Sequence, residues 1–160
     1  MKNIVLVLVS LLVSITSYGQ FEENKWQVDG SFSYSSGSDA LIITPGLGRS
    51  IKSDQVIGIR PGIITDFDET DFRIGTWFDK YKTLKSDLPL FLVLRWSLDY
   101  TDISGSVLSA GFSPGFAFQP TDHWLLTARF LAGNIGYIFD GDDVFLSFGT
   151  SGGLSFAYTF

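Results

Sequence analysis

Seven charged residues share one context in this sequence. Asp29, Arg60, Arg73, Asp79, Arg95, Asp99 and Arg129 each lie on one side of an alternating stretch, opposite a run of aliphatic or aromatic residues. A period of two sends successive side chains to opposite faces of a strand, so all seven belong to faces turned away from the apolar ones. If those faces enclose an interior, its guanidinium and carboxylate groups must pair, because an isolated buried charge is prohibitively unfavourable. The chemistry open to this set is electrostatic: an interlocked plug, or the lining of a pore.

Other chemistries find few residues. There is no Cys, which excludes disulfides, thiolate metal sites and Cys nucleophiles. His123 is the one histidine. A lipid-modifying active site would need such a base beside a Ser at the outer leaflet, but His123 adjoins a turn and Trp124 at the other end of its strand and reads as a girdle or turn residue. Asp66, Asp68, Glu69 and Asp71 form one acidic group, and Asp140, Asp142 and Asp143 another. Carboxylates are hard ligands for divalent cations, yet Asp66-Phe67-Asp68-Glu69 leads to no Gly at the sixth position of an EF-hand loop. Solvated loops are the plainer reading, and no metal, cofactor or catalytic residue is expected. A net charge of −6 also argues against nucleic acid, which requires a basic footprint.

The elements that must position the seven charges are short strands. Alternation covers residues 25–35, 40–50, 55–65, 72–81, 90–100, 106–118, 124–137 and a last segment ending at Phe160, with turn signals between them. The clearest runs from Leu90 to Tyr100: Leu90, Leu92, Leu94, Trp96, Leu98 and Tyr100 face one way, Phe91, Val93, Arg95, Ser97 and Asp99 the other. In the last segment Phe148, Leu154, Phe156, Tyr158 and Phe160 oppose Gly149, Ser155, Ala157 and Thr159. Lys80, Lys82 and Lys85 read as one connection. The segment 124–137 puts Gly133 on the same face as Arg129. Pro45, Pro61 and Pro114 interrupt strands and are expected at bulges or strand ends. Counting back from the turns sets Arg60 against Gly46, Arg95 against Gly75 and Arg129 against Gly153.

Each segment has about the ten residues that a tilted strand needs to cross a bilayer. The expected fold is therefore all-β, an eight-stranded antiparallel up-and-down transmembrane β-barrel over residues 20–160. A soluble ligand-binding barrel is the alternative; it would keep its apolar faces inward, leaving an outer shell poor in Lys and Glu. Residues 1–19 have the form of a cleaved signal peptide: Lys2, an apolar run from Ile4 to Ile15, and Ser17-Tyr18-Gly19 before Gln20. An N-terminal anchor is the other reading of that run. Loss of Lys2 would change the net charge from −6 to −7.

Thr44-Pro45-Gly46-Leu47-Gly48 followed by Val56-Ile57-Gly58 makes one Pro-Gly element. Ser113-Pro114-Gly115-Phe116-Ala117-Phe118, Pro120, Trp124, Gly133 and Gly136-Tyr137 make another. Both resemble elements of the small outer-membrane β-barrel (porin-like) domain family of Gram-negative bacteria, over roughly residues 25–160. The resemblance implies an eight-stranded meander and an envelope role without a defined activity. Arg49 departs from it, standing where a girdle aromatic is common. Phe156, Tyr158 and Phe160 resemble the terminal aromatic signal read by the outer-membrane assembly machinery. The expected partners are that machinery, the lipid bilayer and lipopolysaccharide. The expected role is non-enzymatic, structural or surface-interacting, with a narrow porin for ions or small solutes as the alternative.

Overall fold

A computed structural model describes residues 22–35, 40–65, 70–84, 89–102, 106–130, 132–149 and 153–160. Residues 1–19, expected to be a signal peptide, and the expected cleavage site before Gln20 lie outside these residues, as do Asp66, Asp68, Glu69 and Lys85. The chain forms ten strand segments: β1 (Trp26–Ser35), β2 (Ala40–Lys52), β3 (Gln55–Thr65), β4 (Thr70–Thr83), β5 (Leu90–Asp102), β6 (Ser106–Phe118), β7 (Trp124–Arg129), β8 (Ala132–Ile138), β9 (Asp143–Gly149) and β10 (Gly153–Thr159). Segments β7 and β8 are halves of the seventh barrel strand, and β9 and β10 halves of the eighth. β6 pairs with β7 through Gly115–Phe118 and with β8 through Val107–Phe112. Pairing of β1 with β10, from Gln27↔Thr159 to Phe32↔Leu154, closes the sheet. The result is a closed eight-stranded antiparallel β-barrel. Both ends of the closed sheet and the turns after β2, β4 and β6 lie at one end, called here the terminal end.

Alternation in the sequence becomes inside and outside in the barrel. Twenty-eight large apolar side chains are exposed among the described residues, including Ile59, Phe72, Val144 and Phe148, whereas only eight apolar residues are buried. The charged residues Asp29, Asp79, Arg95 and Asp99 are buried instead. This reverses the radial order of a water-soluble domain and matches a barrel whose outer face meets lipid.

Lys80 and Lys82 belong to β4 and not to a connection, because β4 runs to Thr83. Gly133 faces outward, opposite the exposed Phe112 and Phe148. Phe112 and Gly115 are three positions apart on β6, whereas their partners Gly133 and Arg129 are four apart, and one inserted residue moves every later side chain to the other face.

Pro45 and Pro61 mark neither bulges nor strand ends, whereas Pro114 lies opposite the inserted residue of the seventh strand, a bulge, as expected. The β2–β3 pairing lapses between Ile43↔Ile63 and Leu47↔Ile59, the interval where the register sets Pro45 opposite Pro61, so both missing donors fall on one rung. Pro114 lies between the part of β6 that pairs with β7 and the part that pairs with β8. Each ladder thus loses a donor only where pairing is already interrupted.

Candidate functional site: a charged lumen

The lumen is filled in layers, and one device recurs: a large inward side chain lies beside glycine on a neighbouring strand. The most distal layer shows it first. Arg60, Gly75 and Asp99 form one cross-strand row on β3, β4 and β5. A Cβ on Gly75 would lie 2.0 Å from Asp99 Oδ1, so only glycine leaves the space through which Arg60 and Asp99 meet. Arg60 donates from Nε to Oδ1 at 3.0 Å and from Nη2 to Oδ2 at 2.6 Å. Arg73 places Nη2 2.7 Å from the same Oδ2. One carboxylate therefore holds two guanidinium groups.

The central layer is built on Asp79 and Arg95, directly opposed on β4 and β5. Arg95 donates from Nε to Oδ1 at 2.7 Å and from Nη2 to Oδ2 at 2.6 Å. The same Nη2 reaches Asp29 Oδ2 at 3.4 Å, and Tyr81 donates its hydroxyl to Asp79 at 3.1 Å. Arg129 Nη2 lies 3.7 Å from Asp79, while its Nη1 donates to Ser155 Oγ at 3.0 Å. Short charge-assisted bonds of this kind, two of them in a planar fork, fix geometry as well as adding energy.

Beneath the charges lies Trp77. Its ring projects over Gly48 and Gly58, which are paired with each other, and it reaches Gly46 as well: a Cβ at Gly58 would meet the ring at 2.4 Å and one at Gly46 at 2.7 Å. The Arg95 guanidinium covers the ring, 5.0 Å from its centroid, within the range of a cation–π contact. Val56, Tyr81, Phe91, Val93, Ala117, Leu125 and Ala157 complete a small apolar core toward the terminal end. The Gln27 amide, Ser50 Oγ and Trp77 Nε1 are buried with no hydrogen-bond partner among the described residues.

The structure places all seven charged residues on the lumen face and links them through two carboxylate centres. The register expected for Arg129 against Gly153 is found, and Arg60 shares its rung with Gly46 as well as Gly75. Arg95 is displaced from the expected position: it faces Asp79, four residues along β4, because Gly75 is paired with Asp99. Trp77, Tyr81 and Gln27 complete the filling and did not stand out in the sequence. The spacing Gly46-x-Gly48 with Gly58 is a niche for a ring only once β2, β3 and β4 are in register.

Phe156, Tyr158 and Phe160 point outward and are exposed. Phe160 extends the closing ladder, exchanging backbone hydrogen bonds with Trp26 at 2.9 and 3.2 Å. His123 stacks on Tyr158 with centroids 5.6 Å apart, and its Nδ1 lies 2.9 Å from the Thr159 carbonyl. It belongs to the aromatic cluster at the terminal end, together with Trp124.

No family model and no curated protein matches the chain. Among solved structures, the chain is similar to the N-terminal β-barrel domain of Pseudomonas aeruginosa OprF, with a TM-score of 0.64 and 13% identity over 86% of this chain and 98% of that one. It is also similar to a de novo designed transmembrane β-barrel, with a TM-score of 0.58 and 9% identity over 87% and 98% of the two chains. At these identities the likeness is one of fold.

Proposed function

We propose that this is a non-enzymatic integral outer-membrane β-barrel protein of a Gram-negative envelope, with a structural or surface-interaction role and a lumen plugged by its own side chains. One observation carries the reading: the apolar residues are turned outward while the ion pairs are enclosed. Lipid is the solvent that rewards that order, and closure of the sheet leaves no backbone edge to satisfy in it. An eight-stranded barrel has a lumen just wide enough for side chains to fill, and here bidentate pairs and a tryptophan fill it. In this reading residues 1–19 are a cleaved export signal, the outer-membrane assembly machinery reads Phe156, Tyr158 and Phe160, and the wall is in contact with phospholipid and lipopolysaccharide.

Expression in a Gram-negative host followed by density separation of the two membranes tests the assignment. The protein is expected in the outer-membrane fraction, resistant to alkaline carbonate, at the intact mass of a chain beginning at Gln20. Recovery in the aqueous fraction without detergent would favour a soluble ligand-binding barrel instead.

A further inference from the structure

The wall is not uniform at the terminal end. Around β7 and β10 it is aromatic, with Trp124, Tyr158 and Phe160 exposed. Around β2 to β4 it is cationic. Arg49, Lys80 and Lys82 are exposed there, while Ser50, Asp79 and Tyr81 beside them are buried in the lumen, so alternation directs these three outward. Lys52 is exposed at the register shift that ends β2, between exposed Ile51 and Ser53. Lys52 and Lys80 lie on one row through Gln55, and Arg49 shares a row with Ile57 and Phe78. Strands β2 and β4 are two spacings apart, so these rows span about 10 Å. No carboxylate faces outward from this part of β2, β3 or β4 among the described residues; Asp54 is in the turn, and the exposed Glu22 and Glu23 precede β1 at the same end, Glu22 paired with Lys25 at 3.3 Å. Exposed Ile57 lies level with Arg49, and exposed Leu47 and Ile59, paired on the next outward row, continue the face toward mid-membrane.

We infer that this face is a binding surface for an anionic phospholipid, with its phosphate on the Lys and Arg side chains and its acyl chains along the isoleucines. Charge complementarity selects the occupant. A protein whose net charge is −6 has gathered outward cations here, at the depth where aliphatic wall gives way to turns. Long cationic side chains at that depth extend along the apolar wall to the headgroup level. Trp26 marks the edge of the surface, with the Arg49 guanidinium 5.6 Å from its ring centroid. The inference rests on the membrane-barrel reading above.

Trp26 also supplies the test. In a barrel carrying Trp96→Phe and Trp124→Phe, Trp26 reports on the cationic face, and Trp77, enclosed in the lumen, is an unquenched reference. The chain is refolded into phosphatidylcholine vesicles containing brominated phosphatidylglycerol or, at equal mole fraction, brominated phosphatidylcholine. Trp26 emission is expected to be quenched preferentially by the brominated phosphatidylglycerol, with a relative affinity of about fivefold per engaged cation, declining with salt. Lys80→Gln with Lys82→Gln should abolish most of the preference while the folded barrel keeps its heat-shifted gel mobility. A companion chain with Trp26→Phe and Trp96→Phe, read through Trp124 on the aromatic side, should show no preference. Equal quenching of Trp26 by the two lipids, or a preference surviving the lysine substitutions, overturns the lipid site alone. Absence of quenching by either lipid overturns the membrane reading with it.

Discussion

Arg95 and Asp79 occupy directly opposed positions on β5 and β4 and are joined by two parallel hydrogen bonds of 2.7 and 2.6 Å. Both side chains are buried, and the pair also draws in Asp29, Arg129 and Tyr81. Enclosed ion pairs are not in themselves a source of stability, since desolvation offsets much of their attraction. What they do strongly is penalise the loss of one member, and they specify which side chains meet.

Arg95→Ala should therefore lower the unfolding midpoint of the refolded barrel markedly. Removal of one partner of a buried pair costs on the order of 3–5 kcal/mol, and water entering the lumen would reduce that figure. Urea titration in detergent measures it. An unchanged midpoint would mean that Asp79 is already solvated.

The Asp99 centre makes a ranked prediction. Asp99→Asn withdraws the carboxylate from both Arg60 and Arg73, so it should destabilise more than loss of either arginine. Arg60→Ala should exceed Arg73→Ala, since Arg60 makes two bonds and is the more enclosed side chain. Midpoints of the three variants under one condition decide the order; a larger effect at Arg73 would contradict the geometry.

Gly58→Ala should be destabilising by about 1–3 kcal/mol, the usual range for overpacking. The added methyl would meet the Trp77 ring at 2.4 Å and the Leu47 carbonyl at 2.7 Å. Trp77→Leu in the same chain should recover part of the loss. A double-mutant cycle reads this coupling, and strictly additive effects would show that the ring does not use the niche.

Much of this was legible in the sequence. The strand order, the outward face of the final segment and the inward placement of the seven charges follow from a period of two. Pairing does not, because alternation says which face a residue occupies and not which residue lies across from it. Arg95 against Asp79 and Trp77 over Gly48 and Gly58 needed the register. The outward turn of Gly133 depends on an extra residue in the seventh strand, which no local pattern announced.

Phe160→Ser retains the backbone bonds to Trp26 while removing the outward ring. The folded fraction in cells should fall, while refolding of the same variant in detergent stays near the parent. Equal losses in the two settings would make the ring a stabilising contact and not an assembly signal.

A lumen closed by its own side chains passes no ions, a property that single-channel recording reads. The refolded chain from Gln20 to Phe160 is reconstituted in a planar bilayer and held under an applied potential. No discrete openings are expected in the parent. Steady channels in the parent, whose ion selectivity shifts toward cations in Arg95→Ala while the unfolding midpoint stays in place, would contradict a closed lumen and establish a narrow pore.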